Sequence, residues 1–246
     1  MKKGFVLLLI ALVALSVFVG CKKDPEPKKD DSGKEPEKKT SIVGTAGPAG
    51  GIIIYDVDAD NTTEDPDGPD NLKSDVCGWR YLEAAPADAQ KNGIKFGYYV
   101  SNGTYLAVGT KSGIGDGKEN TSKLVEKMGS AAVDDERDTT STTSDYAAKK
   151  CQDYKVTTSD GKVITGWYLP SSSELSLMAT YRKKVGLSDS AYWSSTEFAN
   201  EFSDDYANVE AYYLETGEDS TGIDHQYKYS SYNIRAVRQV PTSELK

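Results

Sequence analysis

PSSSELSLMA, residues 170–179, is the stretch that decides the fold class. Pro170 lacks an N–H and fixes its own φ, so it halts whatever extended segment precedes it. Ser171 then stands three residues before Glu174, the S-x-x-E spacing of a capping box, in which each side chain satisfies the other's backbone N–H. Leu175, Met178 and Ala179 recur at helical spacing, and Gly186 is placed to end the helix. Two further helices are expected. One is capped by Asn120 or Thr121, carries Leu124, Val125 and Met128 on its apolar face and closes at Gly129. The other spans Tyr146 to Tyr154 with Ala147, Ala148 and Cys151 inward. Around these lie short β-branched or aromatic runs: Ile52–Tyr55, Trp79–Ala85, Ala191–Ser195, Glu210–Leu214 and Ile234–Val240. The last has apolar and charged residues on both of its alternating faces, so neither face reads as the buried one. Short strands mixed with two or three helices in one chain place it in the α+β class.

Outward from this body the composition changes sharply. Residues 22–41 (KKDPEPKKDDSGKEPEKKTS) hold no large apolar residue and three prolines. Such a segment has too little apolar surface to offset ordering entropy and reads as an extended, solvated tether. Before it, Lys2 and Lys3 precede an uncharged run from Gly4 to Gly20 that ends at Cys21. A positive start, an apolar stretch and a small residue before the cut form a secretory signal. Ending that stretch in Gly-Cys is the pattern of a bacterial lipoprotein signal, with Cys21 acylated. The expected organisation is a signal peptide over 1–20, the lipidated Cys21 and tether over 21–41, and a domain over 42–246.

The formal charge is −9, and because Lys2, Lys3 and the tether are net positive, the domain is more acidic than the whole chain. A folded surface of that sign has little with which to neutralise phosphates, which argues against nucleic acid as a partner. The membrane is reached through the lipid instead. Of three cysteines, Cys77 and Cys151 remain for the domain, in a compartment that permits a disulfide between them.

Three groups of residues bear on function. The chain has 16 Tyr against 5 Phe, and residues 198–232 concentrate aromatics among Asn, Asp, Ser and Gly. Rigid aromatic anchors among adaptable polar groups are the composition of a recognition surface. Tyr206, Tyr212, Tyr227, Tyr229 and Tyr232 are its candidate ligand contacts. Asp56, Asp58 and Asp60 alternate like the first ligands of a calcium loop, although Asn61 replaces the expected Gly and Asp67 the expected Glu. Calcium held by these three, with Asp65, Asp67 or Asp70, is the one metal reading the sequence offers. His225 is the single histidine; it has no evident nucleophile partner, and YWSST is not a G-x-S-x-G elbow. The chain reads as a binder rather than an enzyme.

Seven strings carry a family resemblance: GPAGGIIIYD (Gly47–Asp56), WRYLEAAPAD (Trp79–Asp88), GDGKENTSKLV (Gly115–Val125), AAKKC (Ala147–Cys151), GWYLPSSSEL (Gly166–Leu175), YWSSTE (Tyr192–Glu197) and IRAVRQV (Ile234–Val240). In this order they resemble the Lcl C-terminal domain family, whose fold is similar to C-type lectins and to the formylglycine-generating enzyme. The resemblance covers about residues 42–240; the acidic insertion at 56–76 departs from it. It implies a C-type-lectin-like fold of short, mostly antiparallel strands. The N- and C-terminal strands pair, which sets Ile52–Tyr55 beside Ala236–Val240. Trp167 and Trp193 lie near the core, and irregular surface runs between Tyr192 and Tyr232. The paired cysteines of the formylglycine-generating enzymes are not carried over, and the lectin tripeptides EPN and WND are absent. The expectation is an envelope lipoprotein of the bacterial outer membrane, exposed at the surface, that binds a protein or glycan in adhesion. A structural envelope protein and, behind it, an enzyme of the same fold are the alternatives.

Overall fold

The computed structural model describes residues 42–59, 74–97, 107–129, 145–198, 209–217 and 221–245. Cys21 and the tether lie outside them. The first strand β1 (Ile52–Asp56) is followed by a single helical turn α1 (Ser74–Cys77), then β2 (Trp79–Ala84) and β3 (Gln90–Lys95). Helices α2 (Gly117–Met128) and α3 (Ala147–Gln152) come next, then a two-stranded ribbon of β4 (Val156–Thr157) and β5 (Val163–Ile164). Helix α4 (Ser172–Thr180) and the turn α5 (Arg182–Val185) lead into β6 (Ala191–Glu197), β7 (Glu210–Thr216), β8 (Thr221–Tyr227), β9 (Ser231–Ile234) and β10 (Val237–Pro241). The α+β class is the observed one.

Two larger sheets organise these elements. One is three-stranded in the order β1-β2-β10, and the other is five-stranded in the order β3-β9-β6-β7-β8. All pairings are antiparallel except β6 with β9, which run parallel at Tyr192 and Asn233. The expected direct pairing of the first and last strands is corrected: β2 lies between them. Tyr81, Leu82, Glu83 and Ala84 of β2 are all buried, the signature of a strand covered on both faces and flanked on both edges. Glu83 also binds both neighbours, and so reinforces the central place of β2. Its Oε1 accepts the N–H groups of Ala49 (2.8 Å) and Gly51 (3.0 Å) ahead of β1, while its Oε2 accepts from Arg238 Nε on β10 at 3.0 Å.

The mixed faces of residues 234–240 have a concrete cause. The chain leaves the five-stranded sheet at Ile234 and enters the three-stranded one at Val237, so no single face is buried throughout. At the crossing, Arg235 is almost fully buried. It donates to Asp88 (2.6 Å), Ala85 O (2.8 Å), Val185 O (2.8 Å) and Gly186 O (3.1 Å). A buried guanidinium is tolerated because its donors are spent on fixed acceptors.

The capping box forms as read. Ser171 Oγ accepts the Glu174 N–H (3.2 Å), and Glu174 Oε2 accepts the Ser171 N–H (2.8 Å). Helix α4 ends at Thr180, however, and the chain re-enters one turn as α5 before Gly186 closes it in the left-handed region (φ 73°). Helix α2 starts earlier than expected, at Gly117. Asn120 and Thr121 lie within it because their side chains are engaged elsewhere: Asn120 with Lys111 and Ser195, Thr121 with Leu169. The region that the resemblance leaves irregular between Tyr192 and Tyr232 holds β6 and β7 at the two runs read as strands, and β8 besides.

The core forms two main clusters. Trp167, Trp193, Phe96 and Cys151 belong to the first, with α2 and α3. Tyr192, Leu175, Met178 and Leu214 belong to the second, under α4. Both tryptophans are buried as expected, and each indole N–H finds a carbonyl, Ile164 O for Trp167 (3.2 Å) and Ile94 O for Trp193 (2.9 Å). Cys151 is a buried thiol in the first cluster, its pKa pushed up by burial, whereas Cys77 packs against the second. The disulfide that the compartment would permit is not formed; the two thiols are free and sit in different parts of the core. Among the described residues no helix is long and apolar enough to cross a membrane.

Candidate functional site

Strand β8 is an outer strand of the five-stranded sheet, and most of its residues are exposed. Its register sets Tyr212 opposite His225 and Glu210 opposite Tyr227. Side chains two apart share a face of a strand, so His225 and Tyr227 project on the same side as Glu210 and Tyr212, and Tyr229 continues the alternation beyond the strand. Between the two tyrosines, Lys228 points inward and is completely buried. Its Nζ lies 2.8 Å from Glu197 Oε1 and 5.4 Å from the centre of the Phe96 ring. Burial lowers the Lys228 pKa, and the adjacent Glu197 carboxylate opposes that shift. Glu197 is itself held by the N–H groups of Val108 (2.9 Å) and Gly109 (3.1 Å). An ion pair this well hydrogen-bonded fixes which way the segment faces and therefore aims Tyr227 and Tyr229 outward.

The outward side chains are arranged in stacked pairs. Phe198 and His225 lie parallel with centroids 3.7 Å apart, and Tyr212 meets both rings edge-on. His225 Nδ1 donates to Glu210 Oε2 at 2.7 Å. Tyr227 stacks on Tyr229 at 5.1 Å, and Tyr227 is 41% exposed, an unusual value for a large ring. Aromatic faces held apart from the core and bordered by hydrogen-bonding groups are suited to contact with another molecule.

The five candidate tyrosines separate. Tyr212, Tyr227 and Tyr229 belong to this face. Tyr232 belongs to the opposite side of the sheet, 4.6 Å from Trp193 and 4.7 Å from Tyr213 between ring centres. It packs, half-buried, against the first core cluster, away from the other three. Tyr206 lies outside the described residues. Phe198 and His225 join the site, although His225 reads in the sequence as a lone polar histidine. The signal for it is the two-residue spacing of His225, Tyr227 and Tyr229, which becomes informative only once 221–227 is known to be a strand.

Asp56 and Asp58 hold an organic cation. Arg80 donates through Nε (3.0 Å) and Nη2 (3.2 Å) to the two oxygens of Asp56, and Arg80 Nε is 3.3 Å from Asp58 Oδ2. The Asp56 hydrogen bond is the main cause of a raised Arg80 pKa. Asp58 also accepts from the N–H (3.1 Å) and hydroxyl (2.9 Å) of Ser74. Among the described residues no cluster of three His, Cys, Asp or Glu side chains is grouped to hold an ion. Asp60, Asp65, Asp67 and Asp70 lie outside the described residues.

A buried carboxylate stands apart from both groups. Glu174 accepts from Ser171 N, Gly115 N (3.0 Å) and the Tyr168 hydroxyl (3.2 Å), and burial pushes its pKa up to about 7. Its contacts tie the start of α4 to the start of α2, where a Cβ on Gly117 would fall 2.2 Å from Glu174 Oε2. That is a packing role. No protein-family model matches the chain, and a search of the curated proteins finds no match either.

Proposed function

We propose that the chain is a lipid-anchored protein of the bacterial envelope, facing outward from the outer membrane, whose C-type-lectin-like domain binds a protein or glycan partner. The observation that carries the reading is the aromatic face of β7 and β8, where two stacked ring pairs, Phe198 with His225 and Tyr227 with Tyr229, extend beyond the part of that face covered by α4, with His225 and Tyr227 exposed. Rings pre-stacked on one another lose little freedom on binding, which favours affinity per contact. The lectin-like reading is supported by the two sheets and by the presence of both terminal strands in one of them. The anchor is supported by the Lys2-Lys3 start, the uncharged run and Cys21. Calcium enters the reading only as an assay variable.

The test is binding of the full chain to host matrix proteins and to a glycan panel, with and without chelator, alongside a Tyr212→Ala, Tyr227→Ala, Tyr229→Ala variant. The reading expects a partner whose affinity falls at least about tenfold in the variant. A partner bound equally well by both proteins removes the site assignment. Mass spectrometry of the native protein, looking for acyl groups on Cys21, and protease treatment of intact cells test the anchor and its orientation.

A further inference from the structure

The structure assigns a second binding site, for a phosphate-type oxyanion, to a cavity of about 450 Å³ between the end of α4, α5 and the start of β8. It is independent of the aromatic face. Its walls include Tyr181, Arg182, Lys183, Lys184, Thr180 and Thr221, and there is no carboxylate among the described residues that line it. Arg182-Lys183-Lys184 is the only run of three consecutive basic residues in a chain of formal charge −9. Cationic side chains bordering one cavity repel one another and are stabilised when an anion enters.

The ordinary reason for cations here is the end of a helix, whose last carbonyls attract positive charge. The geometry differs from that case. Arg182 Nη1 reaches across to Gly217 O (2.6 Å) and Thr221 Oγ1 (3.0 Å) beside β8, and Lys184 Nζ reaches Gly44 O (3.1 Å) ahead of β1. Neither side chain caps its own helix. Gly44 permits the close approach: its φ is 83°, and a Cβ there would fall 2.8 Å from Lys184 Nζ. Arg182 is thus fixed at one wall by one arm of its fork, and Nε and Nη2 have no acceptor among the described residues. Lys183 is exposed and forms no hydrogen bond or ion pair among the described residues. A planar fork held in place beside an exposed ammonium matches the oxygens of a phosphate group. Glu218 and Asp219, between Gly217 and Thr221, lie outside the described residues.

A phosphate group reaches an envelope protein on a soluble molecule or on a lipid headgroup, and the test separates the two. The full chain is reconstituted in phosphatidylcholine nanodiscs, with or without phosphatidylglycerol, and titrated calorimetrically with sodium pyrophosphate at constant ionic strength. The expected result is saturable binding that weakens about tenfold in Lys183→Gln, the loss of one charge-assisted contact. Lys183 is exposed, so this variant keeps the urea midpoint of the parent, whereas Arg182→Gln also loosens the contact to Gly217. Competition by phosphatidylglycerol in the parent identifies a headgroup as the natural source, and its absence identifies a soluble phosphate; either supports the site. No saturable heat, or equal affinity in Lys183→Gln, overturns it.

Discussion

Glu83 and Arg238 face each other across β2 and β10, 3.0 Å apart and both buried. Together they hold the two ends of the domain in one sheet. Glu83 also carries the two N–H groups that lead into β1, and Arg238 reaches Glu244 with both Nη atoms at 3.1 Å and covers the Trp167 ring at 5.6 Å. Removing one partner of such a pair leaves a buried charge uncompensated. Arg238→Met is expected to cost about 3–5 kcal/mol. Adding Glu83→Gln, whose amide oxygen still accepts from Ala49 and Gly51, should recover at least about 1 kcal/mol. Urea midpoints at constant m measure both. If the double variant is no more stable than the single, the charge pair is not what fixes β2 between its neighbours.

Two adjacent glycines should respond differently. A Cβ on Gly51 would fall 1.9 Å from Ala84 O, a backbone atom that cannot move without breaking the pairing of β1 with β2. Gly50 has open space around its missing Cβ, and only its φ of 78° opposes a side chain. Gly51→Ala is therefore expected to destabilise by about 3 kcal/mol or more, and Gly50→Ala by about 1 kcal/mol. Thermal unfolding of the two variants side by side tests the ranking; equal losses would mean that β1 does not approach β2 as described.

Glu174 predicts a pH dependence with a definite sign. Its pKa of about 7 in the folded chain exceeds the ordinary value of 4.5 because burial penalises the carboxylate. The folded state therefore binds the proton more tightly than the unfolded state does. The stabilisation is fully present below pH 4.5 and is lost as pH rises through 7. The parent should lose stability relative to Glu174→Gln between about pH 5 and 7.5, by on the order of 1 kcal/mol per pH unit. Parallel pH profiles in urea for the two proteins would reveal no such divergence if Glu174 were solvated.

Some of this arrangement is legible in the residues and some is not, for physical reasons. Ser171 and Glu174 are three apart, so a purely local rule identifies the start of α4, and Gly129 and Gly186 mark helix ends in the same way. The break between Ile234 and Val237 depends on Arg235 meeting Asp88, 147 residues away, and no local pattern contains that contact. Strand β8 escapes because an outer strand with polar residues on both faces lacks apolar alternation. Strand β3 escapes because Asn92 and Gly93, both at positive φ, interrupt its pairing with β9. The aromatic face follows from β8, so Tyr227 and Tyr229 are recognisable as candidates while Phe198 and His225 are not. Tyr232 is taken for a ligand contact because composition does not tell which side of a sheet a residue faces.

That distinction gives the final prediction, a separation of stability from recognition. Tyr232 lies against Trp193 and Tyr213. The Tyr213 pKa is pushed up to about 12, chiefly by burial, and both tyrosines are half-buried against the first core cluster. Tyr232→Ala removes part of a packed aromatic cluster and should cost about 2–3 kcal/mol. Tyr227, which is exposed, stacks on the half-buried Tyr229, and Tyr227→Ala with Tyr229→Ala should cost less than the Tyr232 change, about 1 kcal/mol. For any partner found by the binding screen the order reverses: the double variant loses at least about tenfold in affinity, and Tyr232→Ala, measured well below its unfolding temperature, binds like the parent. Phe198→Leu provides an intermediate case. It keeps apolar bulk but removes the ring that His225 stacks on at 3.7 Å, so it should weaken binding with little effect on the urea midpoint. A Tyr232 variant that is stable but cannot bind would move the recognition surface to the other side of the sheet, where Trp193 and Tyr213 would become the residues to test next.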